Sequence, residues 1–255
     1  MYNLVIGFAG GGIFFSFLAI VIRLIDGRLR RDLAEILLAI GLFSLMWFVF
    51  IYLMVVTRYI QFIPNFYNKG IPLYYLIAPC SYFYVRLKLH PTSRLPQGWL
   101  LHTLPFWLGL IDIVPYMLTP MAEKQAFMAR LAENISLGFE HGFGFIDQQW
   151  HYILKLTLGV IYLFAQWRLL FMADATGHAY SRGLRPALYG YTLIFSLFTL
   201  LNVGVVFNIL FNRQQSSYIL MDPEKLFWIS LLYLLVGVWL CIDPYTRIRN
   251  RRQST

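Results

Sequence analysis

The sequence has 255 residues, of which 59% are hydrophobic and only 13% are charged, and its mean hydropathy is +0.61. A soluble domain carries about 25% charged residues, and a chain of this size exposes too much surface to hide so many apolar side chains in one core. The composition therefore excludes an ordinary soluble globule and indicates lipid as the solvent for most of the chain.

Seven apolar stretches each approach the ~20 residues that one helical crossing of a bilayer needs. Stretches such as 33–56 are apolar on every face, whereas a membrane barrel would show short strands of alternating polarity. We therefore predict an all-α fold, a polytopic membrane protein whose single domain, residues 1–245, is a bundle of seven transmembrane helices. The predicted spans 1 to 7 are 3–24, 33–56, 71–89, 98–119, 150–171, 188–212 and 223–245, followed by a basic tail at 246–255.

The positive charges predict the orientation of the chain, whose net charge is +9. The links after spans 1, 3 and 5 and the tail hold 14 lysines and arginines, and the opposite links hold 6. Because such residues accumulate in cytoplasmic segments, we predict that the N-terminus faces out and the C-terminus faces the cytoplasm. Four tail residues are interpreted as a cytoplasmic anchor, with contact to DNA or anionic lipid as the alternative: Arg247, Arg249, Arg251 and Arg252.

Two ionisable residues inside the spans are candidate switch residues, because buried charge is costly in lipid. Asp112 of span 4 and Lys155 of span 5 lie at similar depths below the outer surface, and helices joined by one link are often neighbours. We predict that they pair, and that a ligand or a pH change breaks the pair beneath a lid formed by 121–149. The alternative is that Lys155 snorkels to lipid headgroups while Asp112 accepts hydrogen bonds from neighbouring helices.

Prolines and tyrosines mark spans 3 and 4. Pro79 and Pro115 each remove a backbone donor and predict a kink in their helices. Tyr82 and Tyr116 lie near them and are candidate ligand residues of an aromatic pocket that opens outward. The favoured alternative is that they belong to the aromatic belt at the membrane surface.

Other residues in the spans predict helix packing. Asn202 and Gln166 are expected to form hydrogen bonds between helices. Gly7, Gly11 and Gly12 give span 1 the small-residue spacing that suits close packing within one chain or in a homodimer.

Motifs of enzymes and metal sites are absent from the sequence. It contains no HExxH, GxSxG or GxxxxGK[ST] pattern, and Cys80 and Cys241 lie alone in spans 3 and 7. His141 and His151 fit no metal-ligand spacing and are interpreted as solvated loop residues. We therefore predict no enzymatic activity, no metal and no cofactor.

Three strings carry a family resemblance. Residues 72–86 (PLYYLIAPCSYFYVR), residues 100–106 (LLHTLPF) and the Pro-Tyr pair at 115–116 resemble the membrane domain of bacterial AraC-type transcription regulators that carry multiple transmembrane helices. The resemblance implies a multi-pass protein of the bacterial inner membrane whose bundle senses a signal. It also implies a cytoplasmic pair of helix-turn-helix units that binds DNA, for which the residues after Pro244 are too few.

We therefore expect a membrane sensor module. It would relay an extracytoplasmic or in-membrane signal, an unidentified small molecule or peptide, through span 7 to a cytoplasmic output domain, and DNA would be bound only through a domain absent from this chain. One alternative is a small transporter or carrier, against which the odd helix count and the lack of an inverted repeat argue. The other is a structural subunit that packs against a partner in the lipid bilayer.

Overall fold

A computed structural model describes residues 2–91, 95–134, 137–140, 143–180, 183–211 and 222–252. The described residues form helices joined by turns and bends, with no strand among them, so the predicted all-α class is confirmed. The α-helices are α1 (Tyr2–Arg30), α2 (Leu33–Val56), α3 (Ile71–Tyr74), α4 (Ile77–Leu89), α5 (Leu104–Asp112), α6 (Val114–Leu118), α7 (Met121–Glu133), α8 (Leu137–Glu140), α9 (Gln148–Ala175), α10 (Leu184–Phe211) and α11 (Pro223–Arg252). Short 3-10 helices occupy Tyr59–Phe62, Pro64–Phe66, Asn68–Gly70 and Trp99–Thr103.

Six stretches of the described chain are long and apolar enough to cross a bilayer, which indicates a membrane protein. They coincide with predicted spans 1, 2, 4, 5, 6 and 7, and large apolar side chains such as Phe14, Phe164 and Leu200 are largely exposed on them. Exposed apolar side chains at this density suit contact with lipid tails. The six stretches are Asn3–Leu29, Leu33–Val56, Trp99–Leu118, Gln148–Ala175, Leu184–Gly204 and Glu224–Ile242.

The stretch predicted as span 3 does not qualify as a crossing by length and composition, so six helices rather than seven meet that criterion among the residues that the structure describes. It consists of α3 and α4, and α4 packs against both α2 and α9. Val85 and Leu89 of α4 are completely buried. A helix shielded by its neighbours has little contact with lipid, so it can be more polar than the helices around it.

The helices are interrupted beside both predicted kink residues. At Tyr75 and Leu76 the backbone N–H groups donate to carbonyls three residues earlier, and the regular α4 pattern resumes beyond them. Pro79, four residues after Tyr75, cannot donate to the Tyr75 carbonyl and crowds it. In span 4, α5 ends at Asp112 and Pro115 lies in the first turn of α6.

Different contacts characterise the two ends of the bundle. One end, here called the basic end, joins the end of α1, the start of α2 and the end of α4 through buried ion pairs. At the other end, here called the capped end, the segment 57–70, helices α7 and α8 and the segment 143–147 cover the helix termini. A buried apolar cluster fills the bundle near each end.

Helix α11 runs from the capped end to Arg252 and packs against α1. The sequence predicts that the last span ends near Pro244, with the tail beyond 245. The apolar part of α11 ends at Ile242, and the helix itself continues to Arg252. A proline removes one backbone hydrogen bond, but the turns on either side of it can remain helical. The four tail arginines belong to this helix, and their side chains lie outside what the structure describes.

Candidate functional site

A cavity of about 260 Å³ lies in the capped half of the bundle. Its walls come from α1, α2, α10 and α11, Tyr74 of α3 and Tyr152 of α9 close one side, and Tyr67, Leu131 and Gly138 close the capped end. The Tyr67 hydroxyl donates to the Gly138 carbonyl at 3.4 Å, which joins two of these closing segments. Burial raises the pKa of Tyr67 well above its usual range, so this hydroxyl stays protonated and can donate.

The cavity is lined mainly by aliphatic and aromatic side chains, with tyrosine hydroxyls, Asn202 and Ser230 as its polar groups. Mostly apolar walls with a few convergent polar groups are typical of small-molecule sites. Predicted spans 1, 2, 6 and 7 supply most of the lining, whereas the sequence favours a site in the outer halves of spans 3 to 6. Span 6 is common to both, and spans 3 and 5 contribute one tyrosine each.

Lys155 lies against three aromatic rings of the cavity wall. Its ammonium nitrogen is 4.4 Å from the ring centroid of Phe48, 4.9 Å from that of Tyr152 and 5.6 Å from that of Tyr74. Such cation–π contacts stabilise an ammonium group that has left water. Among the residues that the structure describes, no carboxylate lies within ion-pair distance of Lys155.

Asp112 is 4% exposed and its carboxylate is fully engaged elsewhere. Oδ1 accepts from the backbone N–H groups of Phe145 and Ile146 at 2.8 and 2.9 Å, and Oδ2 lies 2.8 Å from Nε2 of His151. Nδ1 of His151 lies 2.7 Å from the hydroxyl of Tyr75. With His151 donating through Nε2 to Asp112, its Nδ1 accepts from the tyrosine. The predicted ion pair between Asp112 and Lys155 is therefore not formed.

His151 is buried as well, so its interpretation as a solvated loop residue is wrong. It lies one helical turn before Lys155 on α9, on the same face of that helix. Sequence reasoning placed the partner of Asp112 on the helix that follows but selected Lys155 instead of His151. The available signal was the depth of His151, which lies closer to the start of α9 and to the segment that covers Asp112.

Gly144 explains how a short outer segment reaches the carboxylate. A Cβ atom added at Gly144 would lie within 2.6 Å of all three carboxyl atoms of Asp112, so a larger residue does not fit. The segment 143–147 is thereby held on α5 and α9, and through His151 on the break between α3 and α4. We refer to Asp112, His151, Tyr75 and the backbone of 145–146 as the Asp112 network.

The two other predicted ligand residues lie outside the cavity lining. Tyr116 is buried, donates a short hydrogen bond to the Pro64 carbonyl and has the Lys124 ammonium 5.1 Å from its ring centroid. These contacts attach α6 to the segments of the capped end. Tyr82 is half-buried in α4 and packs against Phe83 and Tyr162.

The predicted interhelical hydrogen bonds have different outcomes. Gln166 accepts from Ser81 at 2.9 Å and donates to Thr192 at 2.7 Å, so the expectation of a bond between helices is confirmed. Asn202 donates to the Phe198 carbonyl of its own helix at 2.8 Å, so the same expectation is wrong for this residue. Asn202 lines the cavity instead.

The glycines of α1 pack mainly within the chain. A Cβ at Gly11 would lie 3.1 Å from the Leu234 side chain, and one at Gly12 would lie 2.4 Å from the ring of Tyr233. Gly7 has no neighbour within 4 Å. Gly11 and Gly12 therefore serve the contact between α1 and α11, and a homodimer on this face stays a prediction that rests on Gly7.

The basic end contains an ion network that sequence reasoning missed. The Glu35 carboxylate lies 2.6 Å from both the Arg23 guanidinium and the Lys88 ammonium, and Lys88 also lies 2.6 Å from Asp32. Arg23 and Lys88 count only as topology markers in the sequence. The missed signal is Glu35, a carboxylate in the first turn of an otherwise apolar span that needs a buried partner.

In the part of the chain that the structure describes, no group of three or more His, Cys, Asp or Glu side chains is placed to hold a metal ion. No protein-family model, curated protein or solved structure matches the sequence or its fold. The resemblance to AraC-type regulators thus stays a prediction.

Proposed function

We propose that this chain is a membrane sensor module. It crosses a bacterial inner membrane seven times, with α3 and α4 as the shielded third crossing, its N-terminus outside and its C-terminus in the cytoplasm. It relays occupancy of the cavity to a cytoplasmic output. The observation that carries the proposal is that α11 lines the cavity and continues as one helix to Arg252.

Helix α11 is suited to transmit a conformational change because the same helix lines the cavity and extends to Arg252. Leu226, Ser230 and Tyr233 line the cavity, and the helix continues beyond them without interruption. A ligand that binds one position of α11 more tightly than another shifts the populations of the two positions. A shift at the cavity then displaces the far end of the same helix.

The proposed orientation follows from charge. Arg23 and Lys88 lie at the basic end, and the arginines of the tail form the last part of α11. Positive residues favour the cytoplasmic side, so the capped end and its cavity face outward. The family resemblance supports a DNA-binding output, which a helix extended into the cytoplasm could position.

The proposal is tested by filling the cavity and measuring the far end of α11. In a variant whose two native cysteines are replaced by alanine, spin labels are placed at Phe171 of α9 and Ile242 of α11, both of which are exposed. We expect Ser230→Trp, which fills the cavity, to shift the distance distribution between the labels in lipid nanodiscs.

The matched control is Leu197→Trp, which adds an indole ring on the exposed face of α10. It should leave the distance distribution unchanged. An identical distribution in Ser230→Trp, with the indole shown by fluorescence to be buried, would contradict the proposal.

A further inference from the structure

Lys155 differs from the other buried or half-buried cations Arg23, Lys88 and Lys124 in what surrounds it. Arg23 and Lys88 face carboxylates, and Lys124 donates to the side-chain oxygen of Asn65 and to a backbone carbonyl. Lys155 has three ring faces and no anion among the described residues. A cation placed in this way is stabilised by any anion that reaches it.

The three rings around Lys155 belong to the cavity wall. Phe48, Tyr74 and Tyr152 all line the cavity, whereas Lys155 is not one of its lining residues, and the ammonium group lies directly against these three rings. Away from these rings the walls are mainly aliphatic, with Val49, Leu201, Val206, Leu226 and Leu232 on three helices. The cavity thus has an apolar interior, and the Lys155 ammonium lies next to the aromatic part of its wall.

We propose that the cavity binds an anionic amphiphile, with its acidic headgroup at Lys155 and its alkyl chain between α2, α10 and α11. The anion supplies the charge that Lys155 lacks, and the chain fills apolar space that water occupies poorly. A volume of about 260 Å³ admits one alkyl chain rather than a folded peptide. The inference rests on the proposed function for its consequence, since a bound amphiphile would be the signal that α11 relays.

The test measures saturable binding of radiolabelled dodecanoate to the full chain in nanodiscs of zwitterionic phosphatidylcholine. Unlabelled dodecanoate should displace the label, whereas dodecanol and dodecyltrimethylammonium should compete at least about tenfold more weakly, because they lack the negative headgroup. Equal competition by all three compounds would overturn the proposal.

Lys155→Gln removes the cation and keeps a side chain of similar length. We expect it to weaken dodecanoate binding about 10- to 100-fold, as for the loss of one charge-assisted hydrogen bond, and Lys155→Arg should retain binding. Lys225→Gln is the matched control, because Lys225 lies at the same end of the bundle but is exposed and paired with Asp222. Unchanged binding in a folded Lys155→Gln variant would overturn the proposal.

A second arm identifies the source of the amphiphile. If the site takes a lipid of the bilayer itself, nanodiscs of anionic phosphatidylglycerol should suppress dodecanoate binding to the wild type. If it takes a free acid, binding should persist there. Either result supports an anionic amphiphile, and a loss of binding in Ser230→Trp but not in Leu197→Trp places it in the cavity.

The spin-label measurement separates this inference from the proposed function. If dodecanoate binds through Lys155 but does not move α11, the ligand site is supported and the sensor function is contradicted. If Ser230→Trp shifts the distance between the labels but binding shows no headgroup preference, the sensor function is supported and the anionic ligand is contradicted.

Discussion

Asp112 lies in an apolar helix. Its two carboxylate oxygens accept hydrogen bonds from two other parts of the chain. Two backbone N–H groups and one imidazole satisfy it, and the imidazole is itself buried. A buried polar group that loses its partner costs more free energy than the bond contributes when it is present. The network therefore depends on every member being in place.

Asp112→Ala should destabilise the chain and release the segment 143–147. Two backbone donors and His151 lose their acceptor, which costs about 1–3 kcal/mol for each buried group left unsatisfied. The measurement is thermal unfolding in nanodiscs together with hydrogen exchange at the amides of Phe145 and Ile146. Asp147→Ala is the control, because Asp147 is exposed on the same segment. Unchanged exchange at these amides would contradict the role assigned to Asp112.

Gly144→Ala should disturb the same network from the other side. The added Cβ overlaps the Asp112 carboxyl group, and overpacking of this kind costs about 1–3 kcal/mol. The effects of Gly144→Ala and Asp112→Ala should be non-additive, because the alanine at 112 removes the atoms that clash. Additive unfolding free energies would show that the two residues act independently. Gly10→Ala, in open space on α1, should be neutral or slightly stabilising.

At the scale of helices, the sequence predicts where apolar segments lie better than which faces meet. The bounds of span 2 agree with α2 at both ends, because a long run of apolar residues is a local signal. The partner of Asp112 is not local: His151 is 39 residues away, and the choice between it and Lys155 depends on how α9 is rotated. Helix rotation is set by packing, which a single sequence does not encode in any short pattern.

The central position of α4 is a further feature that local patterns do not give. Its polarity reflects shielding by α2 and α9, and hydropathy alone cannot distinguish a shielded helix from a surface one. The break before Pro79, by contrast, follows from proline chemistry at one position and was predictable. Proline effects are local, whereas shielding belongs to the whole bundle.

Glu35 ties three helices together at the basic end. Glu35→Gln should destabilise the chain by about 3–5 kcal/mol, because the buried Arg23 then faces a neutral amide and Lys88 keeps only Asp32 as a carboxylate partner. Thermal unfolding in nanodiscs measures this, with Glu123→Gln on the exposed face of α7 as the control. A Glu35→Gln variant as stable as the control would contradict the structural role assigned to Glu35.

At the scale of the whole molecule, the two ends have unlike mechanical properties. Buried ion pairs fix α1, α2 and α4 at the basic end, whereas the capped half holds the cavity and therefore has fewer packed atoms between its helices. Poorly packed regions open at lower free-energy cost than dense ones. Motion of α11 against α1 is thus easiest near the cavity, which is where the proposed ligand binds.

Membrane orientation is the property on which any signal path from the cavity to the tail depends. In a variant without native cysteines, Glu123→Cys on α7 and Ala175→Cys at the end of α9 are both exposed, at the capped and basic ends respectively. With the capped end outside, an impermeant maleimide added to intact cells should label Glu123→Cys and should label Ala175→Cys only after permeabilisation. The positive-inside distribution is the physical reason for this expectation. Labelling of Ala175→Cys in intact cells, with Glu123→Cys protected, would invert the bundle and place the cavity on the cytoplasmic side.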